Sequence, residues 1–115
     1  MNSLTSTTLN SAVKPKPEDN FAITFAPLSL PEIYNLADHP ANGAIVVMSG
    51  TVRNQTDGIP VTSLEYQAYE PMAMRVFYQI AAEIRNRWTD INRVVIHHRT
   101  GHLKIGEISV LVAVG

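Results

Sequence analysis

Cysteine is absent from the 115 residues of this chain, which excludes disulfide frameworks, thiolate nucleophiles, iron–sulfur clusters and cysteine-bound zinc. Any chemistry performed here uses no thiol of its own, and the composition fits a reducing compartment, the cytoplasm. Lysine is almost as scarce. Lys14 and Lys16 lie near the start, leaving Lys104 as the only lysine of the expected folded part, in a short connection that offers no buried, low-pKa nucleophile. Long apolar runs are also missing, since Ala44 to Met48 is far below a membrane span, and no membrane partner is expected. Neither sign of charge dominates: 9 basic side chains face 10 acidic ones, a formal charge of -1, so nothing draws the chain toward nucleic acid as a whole. Gly50 and Gly58 lack the spacing of a Walker or dinucleotide phosphate loop.

What is present is one ordinary domain's length, enough to bury roughly two thirds of the unfolded surface without a disulfide or metal, and too little for a two-domain enzyme. Residues 1–20 carry Ser3, Thr5, Ser6, Thr7, Thr8 and Ser11, then Lys14-Pro15-Lys16-Pro17, with too few apolar groups to offset the cost of ordering. A flexible tail is expected there, with no secretory signal, and a folded domain over 21–115. Phe21, Ile23 and Phe25 alternate as in a strand with one buried face. Ser29-Leu30-Pro31-Glu32 is a capping box opening a short helix that stops near Asp38, ahead of Pro40.

Ala44 to Met48 is continuously apolar, as in a strand covered on both faces, and is the expected central strand. It runs through Ser49-Gly50-Thr51-Val52 into a polar turn, and a second alternating stretch, Val61 to Ala68, is expected to pair with it as a hairpin. Glu70-Pro71 opens the longest helix, with Ala73, Val76, Phe77, Ile80, Ile84 and Trp88 recurring at three and four, and Glu83 and Arg87 spaced as a weak ion pair. Two further strands follow, Arg93 to Arg99 and Glu107 to Val114, joined by a glycine-punctuated connection over 100–106. The order predicts an α+β fold, a sheet packed with helices.

Adjacent strand residues such as His97 and His98 point to opposite faces and cannot share a metal, and no carboxylate joins His98 and His102 within the segment. No metal site is expected. Glu65, Glu70, Glu83 and Glu107 lie on separate elements, so spacing pairs none of them for acid–base work. The remaining candidate is Ser49-Gly50-Thr51-Val52-Arg53-Asn54. A glycine near a strand's end permits close approach of backbone or ligand, and an arginine at the exit presents a permanently charged planar fork to a phosphate or carboxylate. A solvated surface arginine is the competing reading.

Gly43 to Asn54, then Leu64-Glu65-Tyr66, Ile84 to Trp88, Ile96 to Leu103 and Gly106-Glu107 together resemble the large-subunit family of molybdopterin synthase, the MoaE family. The resemblance covers residues 43–114 and not the tail. It implies an α/β hammerhead-type fold with a mixed or antiparallel sheet, a homodimer of large subunits, and a small ubiquitin-like sulfur-carrier subunit of the MoaD kind. It further implies transfer of sulfur from the carrier's thiocarboxylated C-terminus to cyclic pyranopterin monophosphate, giving molybdopterin, with no bound prosthetic group. Thr51, Val52 and Arg53 match the segment lining the pterin pocket, with Arg53 toward the phosphate. The reactive sulfur would then belong to the partner, in keeping with the missing cysteines.

The family's histidine-arginine pair, its following helix and its two catalytic lysines match nothing here, because the sequence stops at Gly115. Lys104 precedes the last strand and is no substitute. The expectation is a half-site containing Arg53 without catalytic residues, inactive or nearly so, the alternative being a non-catalytic dimerisation or carrier-binding module. With the C-terminal helix missing, the apolar strand Ile108 to Val114 is expected to expose a face or an edge and to promote self-association.

Overall fold

The computed structural model describes residues 18–68 and 70–115. Most of the expected tail, residues 1–17, lies outside the described residues. The described fold begins slightly ahead of Phe21: β1 spans Asn20–Thr24, and Asp19 is already tied down. Helix α1 spans Leu30–Ala37. Ser29 caps it by accepting a hydrogen bond from the Glu32 N–H at 3.2 Å, Pro31 occupies the first turn, and the chain turns extended at Asp38. Then follow β2 (Val46–Thr51), β3 (Gln55–Thr56), β4 (Ile59–Pro60), β5 (Ser63–Tyr66), α2 (Glu70–Arg87), β6 (Val94–Arg99), β7 (Gly101–Lys104) and β8 (Ile108–Val114). Among the described residues no helix is long and apolar enough to cross a membrane.

β1, β6, β8 and β2 form one four-stranded sheet in that order, β1 parallel to β6 and the other pairs antiparallel. The strand expected at the centre, β2, is therefore an edge strand. Val46 is 68% exposed and Met48 53%, whereas β8 lies between β6 and β2 and buries Ser109, Leu111 and Ala113 on one face. The last strand is thus not the edge expected of it; that edge, with exposed apolar side chains, is β2. The expected hairpin does not form either. β2 pairs with β8, and β5 pairs with β7, a strand inside the 100–106 stretch read as a connection. β7 fits there because Gly101 and Gly106, at φ 101° and 86°, supply left-handed backbone at its two ends.

Strands β6 and β8 are covered on both faces. Ile33 and Ala37 of α1 pack with Val95, Leu111 and Ala113; Phe77 and Ala81 of α2 pack with Val94 and Ile96, together with Phe21 and Val112. Alternate side chains of β6 and β8 serve the two layers. On α2 the buried line runs through Phe77 and Ala81, with Ala73 and Ile84 half-buried beside it, while Val76, Ile80 and Trp88 of the expected apolar stripe are exposed. Arg87 and Glu83 pair at 3.1 Å on the solvent side, as their spacing predicts. Arg85 grips Asp19 with both terminal nitrogens at 2.7 Å, and Asp19 also accepts the Val94 N–H at 2.9 Å, which fastens the entry of β1 to α2 and β6.

Candidate anion site at the end of strand β2

The end of β2 is bent and then gripped. Its register against β8 shifts between Gly50 and Thr51, a bulge that places Ser109 opposite the irregularity, where the Ser109 hydroxyl donates to the Gly50 carbonyl at 3.3 Å. The close approach that Gly50 permits is to the protein itself: a Cβ there would sit 2.7 Å from Val110 Cγ1. Beyond the bulge, Thr51 and Arg53 are exposed and Val52, between them, is 2% exposed. Val52 is held through its backbone. Its N–H donates to the Glu107 carbonyl at 3.0 Å, and its carbonyl accepts the Gly106 N–H at 2.8 Å. Of the three residues matched to a pocket lining, Val52 therefore contributes placement, and Thr51 and Arg53 the accessible groups.

The turn that grips Val52, Lys104 to Glu107, is itself closed by a side chain. Glu107 Oε1 accepts the Lys104 N–H at 2.7 Å, and Oε2 lies 3.5 Å from Arg99 Nη1, whose Nε donates to the Phe25 carbonyl at 3.0 Å. The Lys104 N–H, and after it the charges of Arg99 and Lys104, hold the Glu107 carboxyl below its ordinary range. On the other side of Arg53, β3 and β4 form a small hairpin with Asp57 and Gly58 both at positive φ, and the Val61 N–H donates to the Asn54 carbonyl at 2.8 Å. Arg53 is thus the exposed cation between two backbone-closed turns. Among the described residues it makes no hydrogen bond or ion pair, so its five N–H donors are available to an external acceptor. Sequence reasoning singled out the 51–53 segment as a candidate. It missed Gly106 and Glu107 as its supports, because their role depends on the β2–β8 pairing.

The histidines do not converge. His97 faces the α1 layer and its Nε2 donates to Asn20 Oδ1 at 2.6 Å; His98 faces the α2 layer, edge-on to Tyr66 with ring centroids 5.8 Å apart, and its buried Nδ1 has no hydrogen-bond partner among the described residues. Burial lowers the pKa of both, offset in part at His97 by the charge of Glu32. His102 Nδ1 pairs with Glu65 Oε1 at 3.5 Å on the surface. Among the described residues no three His, Asp or Glu side chains are grouped as metal ligands. Arg53 lines none of the four main concavities among the described residues. One, of about 500 Å³, runs between β2 and the end of α2 along Val46, Ile84, Trp88, Ile91 and Val114; another, about 230 Å³, has Glu65, Tyr66 and Glu70 in its wall.

Residues 23–115 match the model of one protein family, described as MoaE protein. The chain is 76% identical over 103 residues to a molybdopterin synthase catalytic subunit of Nostoc sp., an alignment covering 90% of this chain and 62% of that protein. It is 42% identical over 96 residues to the Bacillus subtilis molybdopterin synthase catalytic subunit, covering 84% of this chain and 60% of the relative. The crystal structure of molybdopterin synthase from Staphylococcus aureus superimposes with a TM-score of 0.73 at 38% identity, over 80% of this chain and 66% of that one. A complex of subunits 1 and 2 of molybdopterin-converting factor from Helicobacter pylori shares the fold, at a TM-score of 0.61 and 20% identity. The chain thus spans under two thirds of the length of these relatives.

Proposed function

The chain belongs to the MoaE family, and from that premise we propose that it works in molybdenum cofactor biosynthesis as the large-subunit part of a molybdopterin synthase. In this reading it binds cyclic pyranopterin monophosphate and presents it to the thiocarboxylated C-terminus of a small, ubiquitin-like carrier subunit. The carrier supplies the sulfur, and the product is molybdopterin. The observation that carries the assignment of Arg53 is its combination of exposure, freedom from partners among the described residues and a backbone fixed on both sides. A guanidinium so placed meets a phosphate with charge-assisted, bidentate hydrogen bonds and without first giving up a partner. Thr51, exposed two residues earlier with Val52 buried between, lies on the same side of the chain and adds a hydroxyl.

The chemistry assigned to these residues is binding and orientation, which is much of what a transfer between two bound reactants requires. Self-association as a homodimer and the carrier contact belong to the same proposal. The absence of thiols supports a cytoplasmic setting. Calorimetric titration with cyclic pyranopterin monophosphate tests the reading: Arg53→Ala is expected to weaken binding about tenfold, the loss of charge-assisted contacts at an exposed site. Unchanged affinity refutes the role of Arg53. Adding thiocarboxylated carrier then separates turnover from binding alone, the outcome expected of a non-catalytic module.

A further inference from the structure

We propose that Glu107 is a positioning residue for Arg53: its carboxylate closes the turn between β7 and β8, and that turn's backbone fixes Val52 and hence where the Arg53 guanidinium is presented. The inference rests on the reading of Arg53 as the anion anchor. A continuous set of contacts carries it. Phe25's carbonyl holds Arg99, Arg99 faces Glu107 at 3.5 Å, and Glu107 accepts the Lys104 N–H at 2.7 Å. The loop so closed returns Gly106 N–H and Glu107 C=O to the two backbone groups of Val52.

Nothing else among the described residues gives Val52 backbone hydrogen bonds. The β2–β8 ladder ends at the Thr51 pairing with Ile108, and among the described residues β2 has no strand on its outer side. Without the turn, the bulged end of β2 would swing about Gly50 and carry Arg53 with it. Gly106, at φ 86°, is the second requirement of the same turn, because a side chain there would strain the backbone that donates to Val52.

The test is a double-mutant cycle read in two ways. Hydrogen exchange needs no ligand: Glu107→Ala is expected to speed exchange at the Val52 amide while core amides of β6 stay protected. Titration with cyclic pyranopterin monophosphate is expected to show about three- to tenfold weaker binding for Glu107→Ala, an effect the size of one ordinary hydrogen bond because Glu107 acts on Arg53 only indirectly. On an Arg53→Ala background the same change is expected to add nothing, since Glu107 acts through Arg53. Glu107→Gln, which keeps an acceptor for the Lys104 N–H, should restore most of the affinity, and Gly106→Ala should reproduce the loss without touching the carboxylate. Unchanged Val52 exchange, or an equal loss in both backgrounds, overturns the proposal. If Val52 exchange responds but Arg53→Ala binds normally, the clasp exists and the anion-anchor reading is what fails.

Discussion

Arg85→Ala is the substitution whose cost can be worked out most directly. The Asp19 side chain is fully buried and that of Arg85 is 19% exposed, so the pair is poorly screened by solvent. Removing the guanidinium strips two 2.7 Å bonds from a buried carboxylate, a change that costs about 3–5 kcal/mol in comparable pairs. Fraying of the chain ahead of Asn20 can relieve part of this by letting Asp19 reach water, at the expense of its bond to Val94. A loss of about 3 kcal/mol is therefore expected, which is a large fraction of the 5–15 kcal/mol available to a domain. Urea unfolding followed by circular dichroism measures it, with the slope checked to show that the denatured state is unchanged. Arg85→Ala combined with Asp19→Ala should be less destabilised than Arg85→Ala alone, because the buried carboxylate that loses its counter-ion goes too. A loss under about 1 kcal/mol, or a double variant worse than the single, would refute the view that charge burial dominates here.

Two other outcomes are expected. His97 and His98 both have pKa values lowered by burial from the ordinary 6.5, so below that pH the unfolded chain takes up protons that the folded one resists. Their contribution to stability is present above pH 6.5 and is lost as pH falls through 6.5 toward the folded values; urea midpoints across that window should decline, and the decline should flatten in a His98→Phe variant. Gly50→Ala should cost about 1–3 kcal/mol, since its Cβ would meet the stiff, β-branched Val110 at 2.7 Å. A thermal scan showing no change would mean that β2 can shift away from β8 freely.

Helix α1 could be read from sequence because its signals are local: Ser29 reaches only to Glu32, and the stop comes one residue after Ala37. Helix α2 could be placed but not oriented. Val76 and Ile80 continue the apolar period as well as Phe77 and Ala81 do, and only the position of the sheet decides which line is buried. β2 was misjudged for a related reason: an apolar run signals burial on two faces, yet strand pairing is set by residues far away, here Ile108 to Val114. β7 escaped notice because its flanking glycines read as a loop, although they are what lets so short a strand turn back at each end. The same non-locality hid Glu107. Nothing in its own surroundings announces that its carbonyl will meet Val52, some fifty residues earlier.

The alternation of β6 has a use apart from folding. His97 is part of the layer beneath α1 and His98 of the layer beneath α2, so neighbouring imidazoles sample opposite sides of one sheet. Their ring C–H resonances are therefore a matched pair of built-in reporters: a ligand, a partner or a substitution that disturbs one layer should move one titration curve and leave the other as its internal reference.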